Sequence, residues 1–434
     1  MAARIEEAEP KAREPESAGG MFRALSHRNF RLFWAGAFLS NVGTWMQAVA
    51  QGWLVLQLTN SPFWLGVDGF MATAPGLFLT LAGGVFADLV DRRRLLIYTQ
   101  IAAGLSAFTL ATLIATKVIR TGGGGDASQV WIILMLTFWT GCCMALAGPS
   151  YQAITIDLVG REDLANAIAL NSTQFQLSRV IGPVFAGFAL NLLGMAGCFY
   201  ANGVSYIAVV AALVMVRFDG AGQHTPAHSL KDKRALWRDL IGGLRYVRKR
   251  PRVFMLLMIS AVTSLFGAPY LSMVPLFARD ILHLNESGLA LMMGLAGAGA
   301  FCGALFVTYL GDFRYKGWFV LGGAWAFGLC LVGFSFSTRL YVSLVYLFGM
   351  GFSIVCSVAV TNTLLQKLVT DEMRGRVMSM FILSFIGAMP IGNLLAGSSA
   401  QRFGAPRTLA AGGLIVALFT SVVTIRNKRL RELY

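Results

Sequence analysis

Two charged residues interrupt long apolar stretches of this chain, and their types and positions suit them to chemistry. Asp68 and Arg179 each lie within a run of mostly apolar residues. A charge is costly in such surroundings, so an ionisable residue there predicts a function. A carboxylate can take up and release a proton, whereas a guanidinium can hold an anionic group or a neighbouring carboxylate.

Residues that form other kinds of reactive centre are dispersed along the sequence. The six cysteines lie in or beside apolar stretches, and the four histidines stand far apart: His27, His224, His228 and His283. Metal sites need such ligands close together. The sequence contains no paired carboxylates, no nucleophile–base set and no glycine-rich phosphate loop followed by lysine. We therefore expect no enzymatic activity, no metal, no cofactor and no ATP hydrolysis.

The apolar stretches that surround these residues dominate the composition. Of 434 residues, 56% are hydrophobic and 13% are charged, and the mean hydropathy is +0.64. A soluble domain has about twice that charged fraction. Twelve stretches reach the roughly 20 residues that span a bilayer. They lie at about 30–57, 62–87, 95–116, 130–154, 165–190, 198–216, 253–278, 288–310, 317–336, 341–365, 377–399 and 408–425. The predicted fold class is an all-α membrane protein with twelve transmembrane helices.

The basic residues predict the orientation of these spans. Of the 36 Lys and Arg residues, 29 fall in segments on the side of the N-terminus, six fall on the opposite side, and Arg179 lies within a span. Positively charged loops remain in the cytoplasm, which predicts that both termini are cytoplasmic. This distribution accounts for the pI of about 9.9 without nucleic acid. It also predicts contact between the basic loops and anionic lipid headgroups.

The two halves of the chain resemble each other. Residues 137–204 align with 347–414 at an offset of 210, and earlier positions pair at an offset of 224, as Asp88 does with Asp312. Such a parallel repeat predicts two six-helix halves with the substrate site between them. The predicted organisation is a disordered cytoplasmic tail (1–20), an N-terminal half (21–216), a central cytoplasmic loop (217–252), a C-terminal half (253–425) and a basic cytoplasmic tail (426–434).

The central loop contains an amphipathic segment at 235–250. Its apolar residues share one helical face, opposite basic residues: Leu236, Trp237, Leu240, Leu244 and Val247. This pattern predicts an interfacial helix that ends at Pro251, with a calmodulin-type target as the alternative.

The strongest local motif lies between the second and third stretches. It reads Gly84-Val-Phe-Ala-Asp88-Leu-Val-Asp91-Arg92-Arg93-Arg94. Gly84 permits close helix contact, Asp88 can pair with a cation or cap a helix, and the arginines hold the loop at the inner leaflet. A plain positively charged turn is the alternative. A degraded copy follows the eighth stretch, at Gly311–Gly317.

This loop resembles the signature loop of the major facilitator superfamily, G-x-x-x-D-R-x-G-R-K, from which Leu89 and Asp91 depart. Three further stretches, 40–62, 161–187 and 374–397, are similar to the bacterial branch that contains enterobactin-exporter-like proteins and transmembrane secretion effectors. The resemblance covers residues 21–425 and implies a permease of the bacterial inner (plasma) membrane. It also implies a cytosolic gating role for Gly84, Asp88, Arg92, Arg93, Asp312, Arg374 and Arg376.

The fifth stretch carries a second motif of that family. Gly182-Pro183-Val-Phe-Ala186-Gly187 is similar to the antiporter motif G-P-x-x-G-G of drug exporters. The proline bends a helix and the glycines permit tight contact, so a structural kink is the alternative to a role in export. The fourth stretch departs from drug–proton antiporters, because Thr137 stands where the resemblance predicts arginine.

The resemblance also implies which residues line a substrate cavity. In the superfamily, spans 1, 4, 7 and 10 surround the cavity, which implicates a set of polar, aromatic and Met residues: Asn41, Gln47, Trp139, Tyr151, Tyr270, Met273, Ser357 and Asn362. Aromatic and Met side chains suit a bulky amphiphile. Arg179 lies about 21 Å into its span and joins this set, with a structural hydrogen-bonding hub as the alternative.

Asp68 is the candidate for proton coupling. No Glu or His lies within an apolar stretch, and the other carboxylates lie near loops. Its position about 30 Å from the cytosolic end leaves a solvated rim carboxylate as the alternative. The predicted function is export of a small amphiphilic molecule (drug, siderophore or secondary metabolite) by a monomer, through alternating access and in exchange for protons. Uptake or facilitated diffusion is one alternative, and a receptor or scaffold of the same fold is another.

Overall fold

The computed structural model of the chain describes residues 20, 22–89, 91–120, 127–216 and 242–431, without the side chains of 80–89, 127, 428 and 429. The predicted N-terminal tail up to residue 19, the first part of the central loop (217–241) and the last three residues lie outside the described residues. The side chains of Gly84 and Asp88 also lie outside this description, although their backbone is helical.

The described chain is helical, with short connections. The first part contains α1 (Arg28–Thr59), α2 (Pro62–Leu89), α3 (Arg92–Ala115), α4 (Val130–Val159) and α5 (Leu164–Met215). The second part begins with α6 (242–248), α7 (Pro251–Val262), α8 (Tyr270–Leu276), α9 (Glu286–Leu310) and α10 (Lys316–Ser335). It continues with α11 (Leu340–Leu368), α12 (Asp371–Phe385), α13 (Ala388–Phe403), α14 (Ala405–Arg426) and α15 (Lys428–Arg431). The all-helical fold class is confirmed for these residues.

Nine of the described helical stretches are long and apolar enough to cross a membrane. One of them, α5, has 52 residues, or about 78 Å, more than twice the apolar thickness of a bilayer. Its path breaks at Gly194, where φ is 68° and ψ is −173°. Glycine tolerates a positive φ that would strain other residues. This break falls in the gap between the fifth and sixth predicted stretches.

The residues at several helix starts explain where the helices begin. The Asp91 carboxylate accepts a hydrogen bond from the backbone N–H of Arg94 at 2.9 Å and caps α3. The Asn285 side chain caps α9 in the same way, accepting from the N–H of Gly288 at 3.1 Å. Pro251 occupies the first turn of α7, where its missing N–H costs no helical hydrogen bond. These caps lie at predicted membrane surfaces, so helix ends and span ends coincide.

The helices pack mainly within two sets. In the N-terminal helix set (22–216), α1 packs along α5, α2 packs on α4, and α3 packs on α4 and α5. In the C-terminal helix set (242–431), α11 packs on α9 and α10, and α14 packs on α10. The two sets meet where α5 contacts α9 and α2 contacts α13.

The buried apolar core differs between the two ends of the bundle. At the end where α1 finishes, which is the predicted outer end, one core includes residues of both helix sets, such as Trp53, Phe199, Phe277 and Leu289. At the end where α1 begins, which is the predicted cytosolic end, each set has its own core. Among the described side chains, the two sets thus share one core at the predicted outer end and have separate cores at the predicted cytosolic end.

The structure describes part of the predicted amphipathic segment, the helix α6, whereas Leu236, Trp237 and Leu240 lie outside the described residues. A side chain at Gly243 would lie 3.4 Å from the Met380 sulfur, so α6 lies against α12. Val247 is buried in the core of the C-terminal set, whereas Leu244 is 50% exposed. An apolar helical face in a sequence can pack against lipid or against protein. Val247 packs against protein.

Candidate functional site

Asp68 lies at the centre of a hydrogen-bonded cluster among α1, α2 and α4. Gln51 Nε2 donates to Asp68 Oδ1 at 2.7 Å and is 2.8 Å from Thr137 Oγ1. Thr137 Oγ1 is itself 3.2 Å from Asp68 Oδ1. Gln51 and Thr137 are buried, so the carboxylate is held by neutral side chains inside the helix bundle. Among the described residues, Asp68 makes no ion pair.

The Thr137 hydroxyl has two acceptors for a single proton. It lies 2.8 Å from the carbonyl oxygen of Ile133, one turn earlier in α4, as well as within reach of Asp68. A hydroxyl donates one hydrogen bond at a time. It can donate to an ionised Asp68, or turn to Ile133 when Asp68 carries its own proton. The cluster can therefore accommodate both protonation states of the carboxylate.

The cluster continues through α1 to the second part of α5. Gln47 Nε2 lies 3.4 Å from Gln51 Oε1, and Asn202 Nδ2 donates to Gln47 Oε1 at 2.6 Å. Ser205 Oγ extends the chain to Asn202 Oδ1 at 3.0 Å. Gln47 is among the residues predicted from the sequence and Asn202 is not, although an amide within an apolar stretch is a signal that could have identified Asn202.

Arg179 lies where α1, α5 and α9 meet. Its guanidinium carbon is 5.1 Å from the centroid of the Trp45 ring, and Nη1 is 3.5 Å from Gln176 Oε1. Gln176 in turn reaches the carbonyl oxygen of Ala300 at 3.4 Å, across the boundary between the helix sets. Arg179 Nε is buried without a hydrogen-bond partner. In the described part of the chain, this guanidinium makes no ion pair.

Two glycines bring the neighbouring helices close to Arg179. A side chain at Gly182 would lie 2.5 Å from Trp45 Cβ, and one at Gly297 would lie 2.2 Å from the carbonyl oxygen of Arg179. Gly182 therefore sets the approach of α1 to α5, and Gly297 sets the approach of α9. Pro183 lies inside α5, and a side chain at Gly187 would lie 3.3 Å from Ala290 Cβ of α9. The predicted kink motif thus lies at helix contacts on both sides of α5.

The other predicted cavity residues occupy different surroundings. Tyr270 is buried close enough to Arg179 to interact with it electrostatically, and Met273 is buried nearby in α8. Tyr151 packs its ring 4.9 Å from that of Phe33. Asn41 is half-buried in α1.

Three predicted cavity residues face neighbours within their own helix set. Trp139 Nε1 donates to the carbonyl oxygen of Ala102 in α3 at 3.3 Å, and its side chain is exposed. Ser357 Oγ donates to the carbonyl oxygen of Val320 in α10 at 3.1 Å. Asn362 accepts from Gln366 at 2.8 Å.

The predicted gating residues of the N-terminal set pair within that set. Arg92 Nη1 lies 3.2 Å from Asp157 Oδ2, which joins the start of α3 to the end of α4. Arg93 Nε and Nη2 donate at 2.8 Å to the carbonyl oxygens of Leu213 and Val214. Those carbonyls end α5, where a cation is favoured. Both arginines therefore hold helix ends together at the predicted cytosolic side.

The corresponding residues of the C-terminal set form a second ion cluster. Asp312 pairs with Lys316 and with Lys367, whose Nζ lies 2.7 Å from Oδ1. Hydrogen bonds from Lys316 and Lys367 lower the pKa of Asp312 to about 2. Arg374 pairs with Asp371 at 2.5 Å, and Arg376 Nη1 lies 3.6 Å from the Met373 sulfur.

Polar contacts between the two sets concentrate at the predicted outer end. Arg279 Nη1 donates to Asn60 Oδ1 at 2.7 Å and to the carbonyl oxygen of Leu56 at 3.1 Å. Ser61 Oγ donates to Gln401 Oε1 at 2.7 Å. Asn191 Nδ2 donates to Ser287 Oγ at 2.9 Å. At the other end, the ion pairs recorded among the described residues lie within one set or the other.

These features define a class of protein. Membrane-length helices carry polar clusters at Asp68 and Arg179, and no group of three or more His, Cys, Asp and Glu residues in the described chain is arranged to hold a metal. This is the architecture of a multi-pass helical membrane transporter. The chain belongs to the transmembrane secretion effector family of the major facilitator superfamily, whose profile matches residues 19–433. The family and the related proteins are transporters, not enzymes.

Curated relatives match over nearly the whole chain. A staphyloferrin A transporter of Staphylococcus aureus is 23% identical, over 92% of this chain and 97% of its own. The multidrug efflux pump Tap of Mycolicibacterium fortuitum is 26% identical, over 92% of this chain and 95% of its own. The macrolide efflux protein A of Streptococcus pyogenes is 20% identical, over 92% of this chain and 96% of its own.

Solved structures show the same fold. A bacterial homologue of the human lysosomal transporter Spinster, in an inward-facing and occupied conformation, aligns with a TM-score of 0.68 at 14% identity, over 95% of this chain and 99% of that one. A D-xylose–proton symporter aligns with a TM-score of 0.69 at 12% identity, over 92% and 97% of the two chains.

Proposed function

We propose that this protein is a secondary transporter that exports a small amphiphilic molecule by alternating access, in exchange for protons. It works as a monomer in the bacterial inner membrane, with both termini in the cytoplasm and its basic loops at anionic lipid headgroups. The names of two relatives support export, since they describe a multidrug efflux pump and a macrolide efflux protein, and a third relative is a staphyloferrin A transporter.

We further propose twelve spans in two halves that are related by a two-fold axis along the membrane normal. Two equivalent contacts between the helix sets support this arrangement, because each set contributes to one contact the residue that the other set contributes to the second. A side chain at Gly187 would meet Ala290, and one at Gly397 would meet the backbone of Gly66. The offset of 210 relates Gly187 to Gly397, and the offset of 224 relates Gly66 to Ala290. A two-fold axis produces such an exchange, because it carries each contact of one half onto the other.

The distribution of the hydrophobic core carries the proposal of alternating access. One core bridges both helix sets at the outer end, whereas two separate cores lie at the cytosolic end. This distribution of the cores supports an inward-facing conformation, in which the carrier would be closed to the outside and would load substrate from the cytoplasm. Rocking one half against the other would separate the outer contacts, such as that between Ser61 and Gln401, and close the cytosolic end.

We assign proton coupling to Asp68. The carboxylate lies about 9 Å along α2 from its outer end, and neutral donors surround it. The Thr137 hydroxyl can donate a hydrogen bond whether Asp68 is ionised or protonated, to Asp68 in the first case and to Ile133 in the second. Through Gln51 and Gln47 the carboxylate is linked to α1, which packs between helices of the N-terminal set and touches α8. A change of charge at Asp68 would therefore alter the packing of the helix that lines the boundary between the halves.

Crosslinking the outer contact tests this function. In a variant whose six cysteines are replaced by alanine, Ser61→Cys and Gln401→Cys are joined by a short bifunctional methanethiosulfonate reagent. We expect crosslinking to reduce pH-gradient-driven substrate flux in proteoliposomes at least tenfold, and reduction to restore it. Each single-cysteine variant, treated identically, is the control. Full flux through the crosslinked protein would contradict alternating access at this boundary.

A further inference from the structure

The surroundings of Arg179 point to the charge of the transported molecule. Arg179 is half-buried, and even partial burial of a cation is unfavourable without a compensating charge or a full set of acceptors. Arg179 has one contact with a neutral amide oxygen and one with the face of Trp45, and its Nε has no acceptor. The described residues supply no carboxylate to it. The guanidinium is therefore incompletely satisfied in this conformation.

A second unsatisfied donor lies across the boundary between the helix sets. The Tyr270 side chain is 1% exposed, and its hydroxyl is buried without a hydrogen-bond partner. It lies within electrostatic range of Arg179. Two donors from opposite sets, the buried Nε of the half-buried Arg179 and the buried Tyr270 hydroxyl, thus lack a hydrogen-bond acceptor and lie within electrostatic range of each other. Buried polar groups are almost always paired, so such orphans call for an explanation.

The apolar groups beside these donors define the rest of the ligand. The Trp45 ring lies over the guanidinium, and the Phe175 ring packs edge-on against Trp45 at 6.4 Å. Aromatic faces suit the flat or apolar part of an amphiphile. We propose, resting on the proposed transport function, that the exported molecule is an anionic amphiphile whose carboxylate, or a similar acidic group, binds Arg179 and Tyr270 while its apolar part packs near Trp45. Because the donors come from both helix sets, a bound anion would bridge the two halves.

Binding measurements with three probes of one shape test the charge preference. The probes are radiolabelled 1-naphthoate, its neutral amide 1-naphthamide and the cation 1-naphthylmethylammonium, applied to the purified full-length protein in detergent. We expect the wild-type protein to bind naphthoate at least tenfold more tightly than the amide, with the cation weakest. Arg179→Gln should remove this preference and leave amide binding unchanged. Arg179→Lys should restore little, because a point charge lacks the planar fork of donors. Tyr270→Phe should weaken naphthoate alone.

The outcomes separate this inference from the transport function. A structural role for Arg179 would change the thermal midpoint and the binding of all probes together, whereas the inference concerns the ratio between anion and amide. Equal binding of the three probes by the wild-type protein, or an unchanged ratio in Arg179→Gln, would overturn it. Gradient-driven flux of a neutral or cationic dye, measured separately in proteoliposomes, would still support export. Loss of all gradient-driven flux in the wild-type protein would instead count against the proposed function.

An independent observation lies on the surface of the C-terminal set. An open groove of about 510 Å³ runs between α9, α10 and α11 at the predicted cytosolic end. Phe306, Phe319 and Phe352 line it, and Arg314, Tyr315 and Trp318 line the part nearest the start of α10, here called its mouth. A side chain at Gly322, which also lines the groove, would meet nothing within 4 Å. The groove therefore offers apolar space beside α10, whose main neighbours are α11 and α14.

The charge at the mouth complements the headgroup of an anionic lipid. Arg314 is exposed there, and the Arg431 guanidinium lies 5.4 Å from the Trp318 ring. Basic residues at the membrane surface attract anionic headgroups, and arginine suits phosphate. We infer that this groove binds one anionic phospholipid of the cytosolic leaflet, with an acyl chain against the phenylalanines and the phosphate at Arg314.

Native mass spectrometry of the full-length protein tests this second inference. The protein is incubated with equal amounts of phosphatidylglycerol and phosphatidylcholine with identical acyl chains. We expect at least fivefold greater retention of phosphatidylglycerol, and a loss of at least fivefold in Gly322→Leu, which fills the groove. Arg314→Gln should abolish the headgroup preference. Gly148→Leu is the matched control, since a side chain there also meets nothing within 4 Å. Equal retention of both lipids, or equal effects of the two leucines, would overturn the inference.

Discussion

Thr137 in α4 reaches Asp68 in α2, with 3.2 Å between the hydroxyl and carboxylate oxygens. Resemblance to drug–proton antiporters places an arginine at position 137, and this chain has threonine instead. The difference matters because a fixed cation would stabilise the ionised carboxylate, whereas a hydroxyl can serve the ionised and the neutral form. A carboxylate that exchanges its proton during transport therefore needs a neutral neighbour such as Thr137, which does not hold it in the ionised form.

Asp68→Asn is therefore expected to uncouple transport without preventing it. The amide retains the size of the side chain and its contact with Gln51, but it cannot take up or release a proton. Under an imposed pH gradient, substrate accumulation in proteoliposomes should vanish, while counterflow exchange survives within about twofold of wild type. Undiminished accumulation would show that coupling does not run through Asp68.

Thr137 variants separate the hydrogen bond from the shape of the side chain. Thr137→Val keeps the branched shape but removes both donor and acceptor, so we expect gradient-driven accumulation to fall at least fivefold. The loss of one hydrogen bond to a charged group corresponds to about 1.5–3 kcal/mol. Thr137→Ser keeps the hydroxyl and should retain most activity. Equal activity of the valine and serine variants in the same flux assay would contradict a role for the hydroxyl.

The helices were predictable from the sequence because long apolar runs specify membrane-length helices almost by themselves. The break in α5 at Gly194 was also predictable, because it lies between the fifth and sixth apolar stretches. The direction of each side chain was harder to predict, as Ser357 and Trp139 demonstrate. Both were chosen because their spans line the cavity in the superfamily, and no local pattern predicts that Ser357 bonds to α10 or that Trp139 bonds to α3. A helix that is apolar on all sides has no pattern that identifies its inner face.

The site was predictable residue by residue but not as a network. Asp68 stood out because it is a charge in an apolar stretch, and Thr137 because it replaces an expected arginine. Their contact through Gln51 depends on how α1, α2 and α4 pack, which no local pattern encodes. The same is true of Arg179, whose surroundings are set by Gly182 and Gly297 from two other helices. Close approach of backbones, rather than composition, created these clusters.

Asp312 gives a prediction about pH. Lys316 and Lys367 hold its pKa at about 2, below the ordinary value of 3.8, so Asp312 is ionised from pH 5 to pH 8. A lowered pKa stabilises the folded protein above the unfolded value, and that contribution disappears only as pH falls from about 4 toward 2. Asp312→Asn should therefore lower transport by the same factor at every pH between 5 and 8. A change in the shape of the pH–flux profile would contradict this assignment.

Gly297 provides a test of the contact that places Arg179. A methyl group at this position would lie 2.2 Å from the carbonyl oxygen and 2.6 Å from the carbonyl carbon of Arg179, so α5 and α9 must separate. Overpacking of this kind costs about 1–3 kcal/mol. Gly297→Ala is expected to lower the thermal midpoint in detergent and to reduce gradient-driven flux several-fold, because Arg179 moves with its helix.

Gly148→Ala in α4 is the matched control, since the added methyl meets nothing within 4 Å. Alanine is the better helix former, by about 1 kcal/mol, so this variant should be at least as stable as the wild-type protein. It should also transport at the wild-type rate. If Gly297→Ala behaved like Gly148→Ala in both measurements, the close contact of α5 with α9 would not be what positions Arg179.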